Sequence, residues 1–139
     1  MPLMEVTLER GLSGETKAAL RRDLCRDMAE LVGLDPSFIA VLFKELPEGG
    51  THGHGSFTEV YLSEGRDLEF KGRLMRFVCE DICRHTALEG GQVSVIIHDI
   101  RRGSVAVSGH VVNRGGTAAE TVIRERGETV YRAADGRKD

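Results

Sequence analysis

Tryptophan is missing from this chain, and aromatic residues make up only 5% of it. Any aromatic contact therefore falls to five Phe and two Tyr. There is no excess of charge of one sign: the net charge is −3 and the pI about 6.0. That balance lacks the basic footprint of a nucleic-acid binder. No apolar run approaches the roughly 18 residues a membrane-spanning helix needs, so no membrane partner is expected. The first residues show neither a basic segment nor a long apolar core of a secretory leader, which predicts a cytoplasmic protein. Cysteine is scarce. Cys25, Cys79 and Cys83 form no even disulfide framework and no C-x-x-C pair, so they read as reduced thiols. Proline occurs three times, and one of these is the second residue. What remains is ordinary for a globular chain, with 40% hydrophobic and 29% charged residues over 139 positions. A single domain spanning 1–139 is expected.

The chain repeats itself. A shift of 54 residues lays the segment from Met4 on the segment from Thr58 without a gap, with 14 identities over 52 positions. Glu5/Glu59, Gly11/Gly65, Lys17/Lys71, Leu20/Leu74, Cys25/Cys79, Asp27/Asp81 and Gly55/Gly109 are among them. Duplication of one structural unit explains the match. The units are residues 2–57 and 58–112, followed by a tail at 113–139.

Each unit reads as β-α-β. "LMEVTL" and "TEVYL" are short strand patterns. A glycine turn follows, then an N-cap candidate, Ser13 or Asp67. The first helix places Leu20, Leu24, Met28, Leu31 and Val32 at helical spacing. The second places Phe70, Leu74, Val78 and Ile82, with Phe77 on the flank. "FIAVLFKEL" and "QVSVIIHDI" are strands dense in β-branched and apolar residues. Two such units predict an α/β (α+β) fold, a four-stranded sheet with both helices on one face. The runs Val41-Leu42-Phe43 and Val95-Ile96-Ile97 are continuously apolar, which predicts burial on both sheet faces. One chain has no layer for the second face, so a homo-oligomer is expected. "SVAVSGHVV" suggests an edge strand or hairpin. In the tail, Thr117 and Glu120 have capping-box spacing, while "ETVIRERG" followed by "ETVYRAAD" reads as a hairpin around Gly127. Residues from Ala133 onward are expected to fray.

Pro2 has two readings. Proline is tolerated as the first residue of a strand because it has no N–H to offer. It also becomes a free secondary amine once Met1 is removed. An α-amino group titrates near 8, and an apolar pocket or nearby guanidinium groups lower that value. A neutral amine near pH 7 is a usable general base.

Strand, long helix, strand and glycine-rich hairpin, duplicated behind a proline at position 2, resembles the tautomerase superfamily. "SEGRDLEFKGRL" is similar to that family's E-G-R turn leading into a helix. The likeness spans roughly residues 2 to 111, and the fused two-unit relatives of 4-oxalocrotonate tautomerase are nearest in plan. The resemblance implies a cofactor-independent homotrimeric enzyme with its three sheets facing inward. It implies Pro2 as catalytic base and Arg66 as the group that binds a small carboxylic-acid substrate. A 2-oxo or 2-hydroxydienoic acid undergoing isomerisation is the expected case. The chain also departs from the pattern. Ala40 and Ser94 stand where small tautomerases carry a second arginine, and Val105 stands at their hairpin aromatic. Ser63, Met28 and Ile96 stand at the additional arginine, histidine and tyrosine of the dehalogenase pattern, and Arg66 lacks the paired arginine of the decarboxylases. Dehalogenation, hydration or decarboxylation of a three-carbon acid, and a non-catalytic binding module, are the alternatives. Arg10 precedes its glycine where Arg66 follows, and it is a further substrate-binding candidate. So are Arg101, beside the hairpin, and His52, in a loop able to close over substrate. His52 and His54 lack the companion ligands a metal site needs, so no metal is expected.

Overall fold

The computed structural model describes residues 2–9, 11–50 and 55–111, together with the backbone of strands at 121–125 and 128–132. Seven residues with alternating burial, Leu3–Glu9, form β1. Gly11 bends the chain at φ 130°, and Ser13 caps α1 by accepting the Thr16 N–H at 3.1 Å. Helix α1 runs Gly14–Val32 and ends at Gly33, whose φ of 73° closes the last turn. A short 3-10 turn at Pro36–Phe38 leads into β2, Ala40–Leu46. The second unit repeats this plan with β3 (Ser56–Ser63), α2 (Leu68–His85) and β4 (Val93–Ile100). Asp67 caps α2 as Ser13 caps α1, accepting the Phe70 N–H at 2.8 Å.

The sheet order is β2-β1-β3-β4. Within each unit the strands pair in parallel, and the units join through the antiparallel pair β1/β3. In that register Glu5 faces Glu59, its own counterpart in the repeat. A local two-fold therefore passes between them. Both helices cover one face, where Leu20, Leu24, Met28, Leu74, Val78 and Ile82 close over Met4, Val6 and Val60. Every one of these is fully buried.

The opposite face differs from the sequence expectation. Leu42 and Ile96 do lie open there, 49% and 48% exposed. The central strands, however, present Glu5 and Glu59. Lys44 donates to Glu5 at 3.1 Å, and His98 meets Glu59 at 3.2 Å. The apolar expectation came from β2 and β4 alone, and the alternation of β1 and β3 puts their polar residues on this side.

Beyond β4, Ala106–Val107 (β5) and His110–Val111 (β6) form a hairpin turning at Ser108 and Gly109, both at positive φ. Thr121–Glu125 (β7) pairs antiparallel with Glu128–Arg132 (β8), so the hairpin reading of the tail is the one realised. Thr117, Glu120, Gly127 and the segment 133–139 lie outside the described residues.

Candidate active site

Strand directions decide which loops meet. β1 begins where β3 ends, and β2 begins and β4 ends at that same end of the sheet. Pro2, the turn from Glu64 to Asp67, and the segment from Arg101 therefore gather there. Pro2 is buried at the head of a central strand, and its carbonyl accepts the Ala40 N–H at 3.1 Å. Being first in the strand, it costs the ladder nothing in donors. Gly65, at φ 102°, turns the chain so that half-buried Arg66 lies just before α2. The guanidinium carbon sits 4.5 Å from the centre of the Phe70 ring. This stacking positions the group without using its N–H fork. Among the described residues Arg66 has no carboxylate partner. Its neighbours brace the turn: the Glu64 N–H donates to the Ile100 carbonyl at 2.8 Å, and the Arg102 N–H reaches Glu64 Oε1 at 3.4 Å. Arg101 is exposed, with its carbonyl bonded to the Ser104 N–H at 3.1 Å.

The opposite end of the sheet is built from the matching positions and holds different chemistry. A cavity of about 350 Å³ is lined there by Leu8, Glu9, Leu12, Gly55, Leu88 and neighbouring residues. Shifting by 54 residues carries Pro2 onto Ser56 and Leu12 onto Arg66. Ser56 is fully buried, and its Oγ finds no partner among the described residues. Arg10 and His52 lie outside the described residues, but their described neighbours Glu9 and Gly55 belong to this end. Pro2, Arg66 and Arg101 share one end of the sheet, while the described residues Glu9 and Gly55, which flank Arg10 and the segment of His52, share the other.

No family model matches this sequence, and no curated protein sequence matches it. Solved structures do match it in shape. A fused 4-OT, an asymmetric trimer designated F6, superposes with a TM-score of 0.72 at 23% identity, covering 78% of this chain and 94% of that one. Pt0534, inactivated by 2-oxo-3-pentynoate, gives a TM-score of 0.71 at 22% identity with the same coverage, 78% and 94%. N1, a member of the cis-3-chloroacrylic acid dehalogenase family, gives 0.72 at 18% identity, covering 82% of this chain and 85% of that one. The fold is that of the tautomerase superfamily.

On this tautomerase fold, several residues near the two ends play supporting parts. Tyr61 stacks on His98 with ring centres 4.5 Å apart and planes 9° from parallel. Partial burial and the Glu59 and Glu5 carboxylates push the Tyr61 phenol above its ordinary value, so it stays protonated. His98 is accordingly a structural residue, held between Tyr61 and Glu59. Burial raises the Cys25 and Cys83 thiols, which disfavours their thiolate forms. Among the described residues no three His, Cys, Asp or Glu side chains gather as metal ligands, and no helix is long and apolar enough to cross a membrane. Sequence reasoning missed the Glu5–Lys44 and Glu59–His98 pairs. The signal was present: Lys44 and His98 also lie 54 residues apart.

Proposed function

We propose that this chain is a tautomerase that moves a proton on a small 2-oxo or 2-hydroxydienoic acid. Pro2, freed of Met1, is the general base. Its secondary amine takes a proton from the substrate and returns it to another atom of the conjugated system. Arg66 binds the substrate carboxylate through its fork and stabilises the dienolate as charge develops. The α2 N-terminus beside it favours the same anion. Burial at the head of β1 disfavours an ammonium group and keeps the amine neutral near pH 7. The observation that carries this reading is the convergence of a buried Pro2 and a carboxylate-free Arg66 at one end of the sheet. Arg101, at the same end, is the added cation that serves where Ala40 and Ser94 leave none. Three chains assemble with their helix-free faces inward, covering Leu42 and Ile96, and the reduced thiols suit a cytoplasmic enzyme needing no cofactor.

The deciding experiment is a permanently retained N-terminal extension, which converts the amine into an amide without a basic lone pair. The processed protein should show the mass expected after loss of Met1 and should turn over a generic enol acid. The extended protein should still sediment as a trimer yet lose nearly all activity. Equal activity in both forms would end the role of Pro2 and favour a non-catalytic binding module on this fold.

A further inference from the structure

Away from both sheet ends, the seam between α1 and α2 holds a titratable cluster in which Asp23 and Asp81 are buried and the arginines that pair with them are exposed. Asp23, Arg26 and Asp27 come from α1, and Asp81, Arg84 and His85 from α2. Asp23 is well supplied with donors: Arg26 Nη1 at 3.0 Å, Arg84 Nη1 at 3.5 Å and His85 Nε2 at 2.6 Å. Asp27 receives Arg26 Nε at 3.1 Å. Asp81 receives Arg84 Nη1 at 3.0 Å on one oxygen only. It is 1% exposed, and its Oδ2 has no donor among the described residues. The helix-facing residues of β1 and β3 carry no ionisable group, so nothing beneath the seam supplies one.

Charge and geometry agree on what is missing. Three carboxylates against two guanidinium groups leave one negative charge in excess while His85 is neutral. Asp27 and Asp81 are matching positions of the repeat on the two packed helices, and Asp27 is near enough to Asp81 to favour its protonated form. Two ionised carboxylates in contact repel, and an oxygen buried without a donor is costly. One proton resolves both. We propose that Asp27 and Asp81 share a single proton across the α1–α2 seam, so that an acid–carboxylate hydrogen bond holds the helices together and the seam weakens when the proton leaves. Burial first, then the Asp27 contact, push the Asp81 carboxyl up to about 7. The His85 hydrogen bond, meanwhile, is the largest influence holding Asp23 below its ordinary value. The release therefore falls near neutral pH and is read at Asp81.

The sign follows from linkage. The folded chain holds this proton at a pH where the unfolded carboxyl, at 3.8, has lost it. Stability from the pair is full below about 4, declines as pH rises toward 7, and is gone above that. The Asp23–His85 contact beside the pair occurs in one half of the seam only. The 54-residue shift carries Asp23 onto Phe77 and His85 onto Leu31, both packed against the apolar core.

Denaturant unfolding between pH 5 and 8.5 tests this on the wild type, Asp81→Asn and His85→Gln. The wild-type folding constant, taken relative to Asp81→Asn, should fall by up to about tenfold per pH unit between 5 and 7 and then level off. His85→Gln should keep that slope. Parallel curves for wild type and Asp81→Asn, or a slope lost only in His85→Gln, overturn the proposal. Should Asp81→Asn fail to fold, the carboxyl ¹³C titration of wild-type Asp81 decides: a midpoint near neutrality supports the shared proton, and one near 4 overturns it.

Discussion

The two β-α-β units are alike where they fold and unlike at the ends of the sheet. Both turn at a positive-φ glycine, Gly11 or Gly65, and both cap the helix with a side-chain oxygen at the next position but one. Both tie the helix to the second strand with a lysine, Lys17 to Glu45 at 2.6 Å and Lys71 to Asp99 at 2.8 Å. Both bury a leucine fully at the same point, Leu20 or Leu74. The end positions diverge: Pro2 against Ser56, Leu12 against Arg66. Duplication copies the scaffold, but the position that holds Pro2 in the first unit holds Ser56 in the second. The amine base proposed for Pro2 has no counterpart at Ser56, whose nitrogen is a backbone amide within the chain. At the second end the position matching Arg66 holds Leu12.

The likeness of the scaffolds is broken most severely in the core. Leu20→Ala and Leu74→Ala should each cost about 3 kcal/mol, within the usual range for a buried leucine, and the two losses should agree within about 1 kcal/mol. Denaturant unfolding of the two variants checks this, and a much larger loss in one would show that the helices do not share the core equally. The unlikeness of the ends is sharpened by Arg66→Ala. Turnover of an acidic substrate should fall at least about tenfold, or about 1.4 kcal/mol, with the fold intact, and Arg66→Lys should not restore it. Leu12→Ala, at the matching position, should leave kcat/KM nearly unchanged. The smallest effect lies at the caps. Ser13→Ala and Asp67→Ala should each lower stability by about 1 kcal/mol, read as a shift in the urea midpoint.

The repeat, the strands, both helices and both caps were legible in the sequence, because hydrophobic period and cap chemistry are local signals. Leu20, Leu24 and Met28 announce their buried face at helical spacing, and they are buried. Pairing direction is not local. Nothing in "MEVTL" or "TEVYL" says that they run antiparallel, yet this alone sets Glu5 against Glu59 and divides the neighbours of Arg10 and His52 from Pro2 and Arg66. Strand direction puts Pro2, Arg66 and Arg101 at one end of the sheet and the described residues Glu9 and Gly55 at the other. The Asp23–His85 contact spans 62 residues and needs the helices packed before it exists. A charged residue on a helix reads as solvated until a second helix closes over it, and that is why Asp81 was passed over.

The order β2-β1-β3-β4 has a consequence for the chain as it leaves synthesis. Among the described residues, β2 and β4 each pair on one side only. Each therefore offers a row of open backbone donors and acceptors to any other extended chain. Leu42 on one and Ile96 on the other stand half exposed beside those rows. Lys44 guards β2 with a charge on the same face, tethered to Glu5. On that face of β4 the corresponding guard is His98, whose ring is stacked on Tyr61 and turned to Glu59. β4 is the less protected edge, so newly made chains are most exposed to misdirected strand addition there, and crowding during refolding should be felt first along Val93–Ile100.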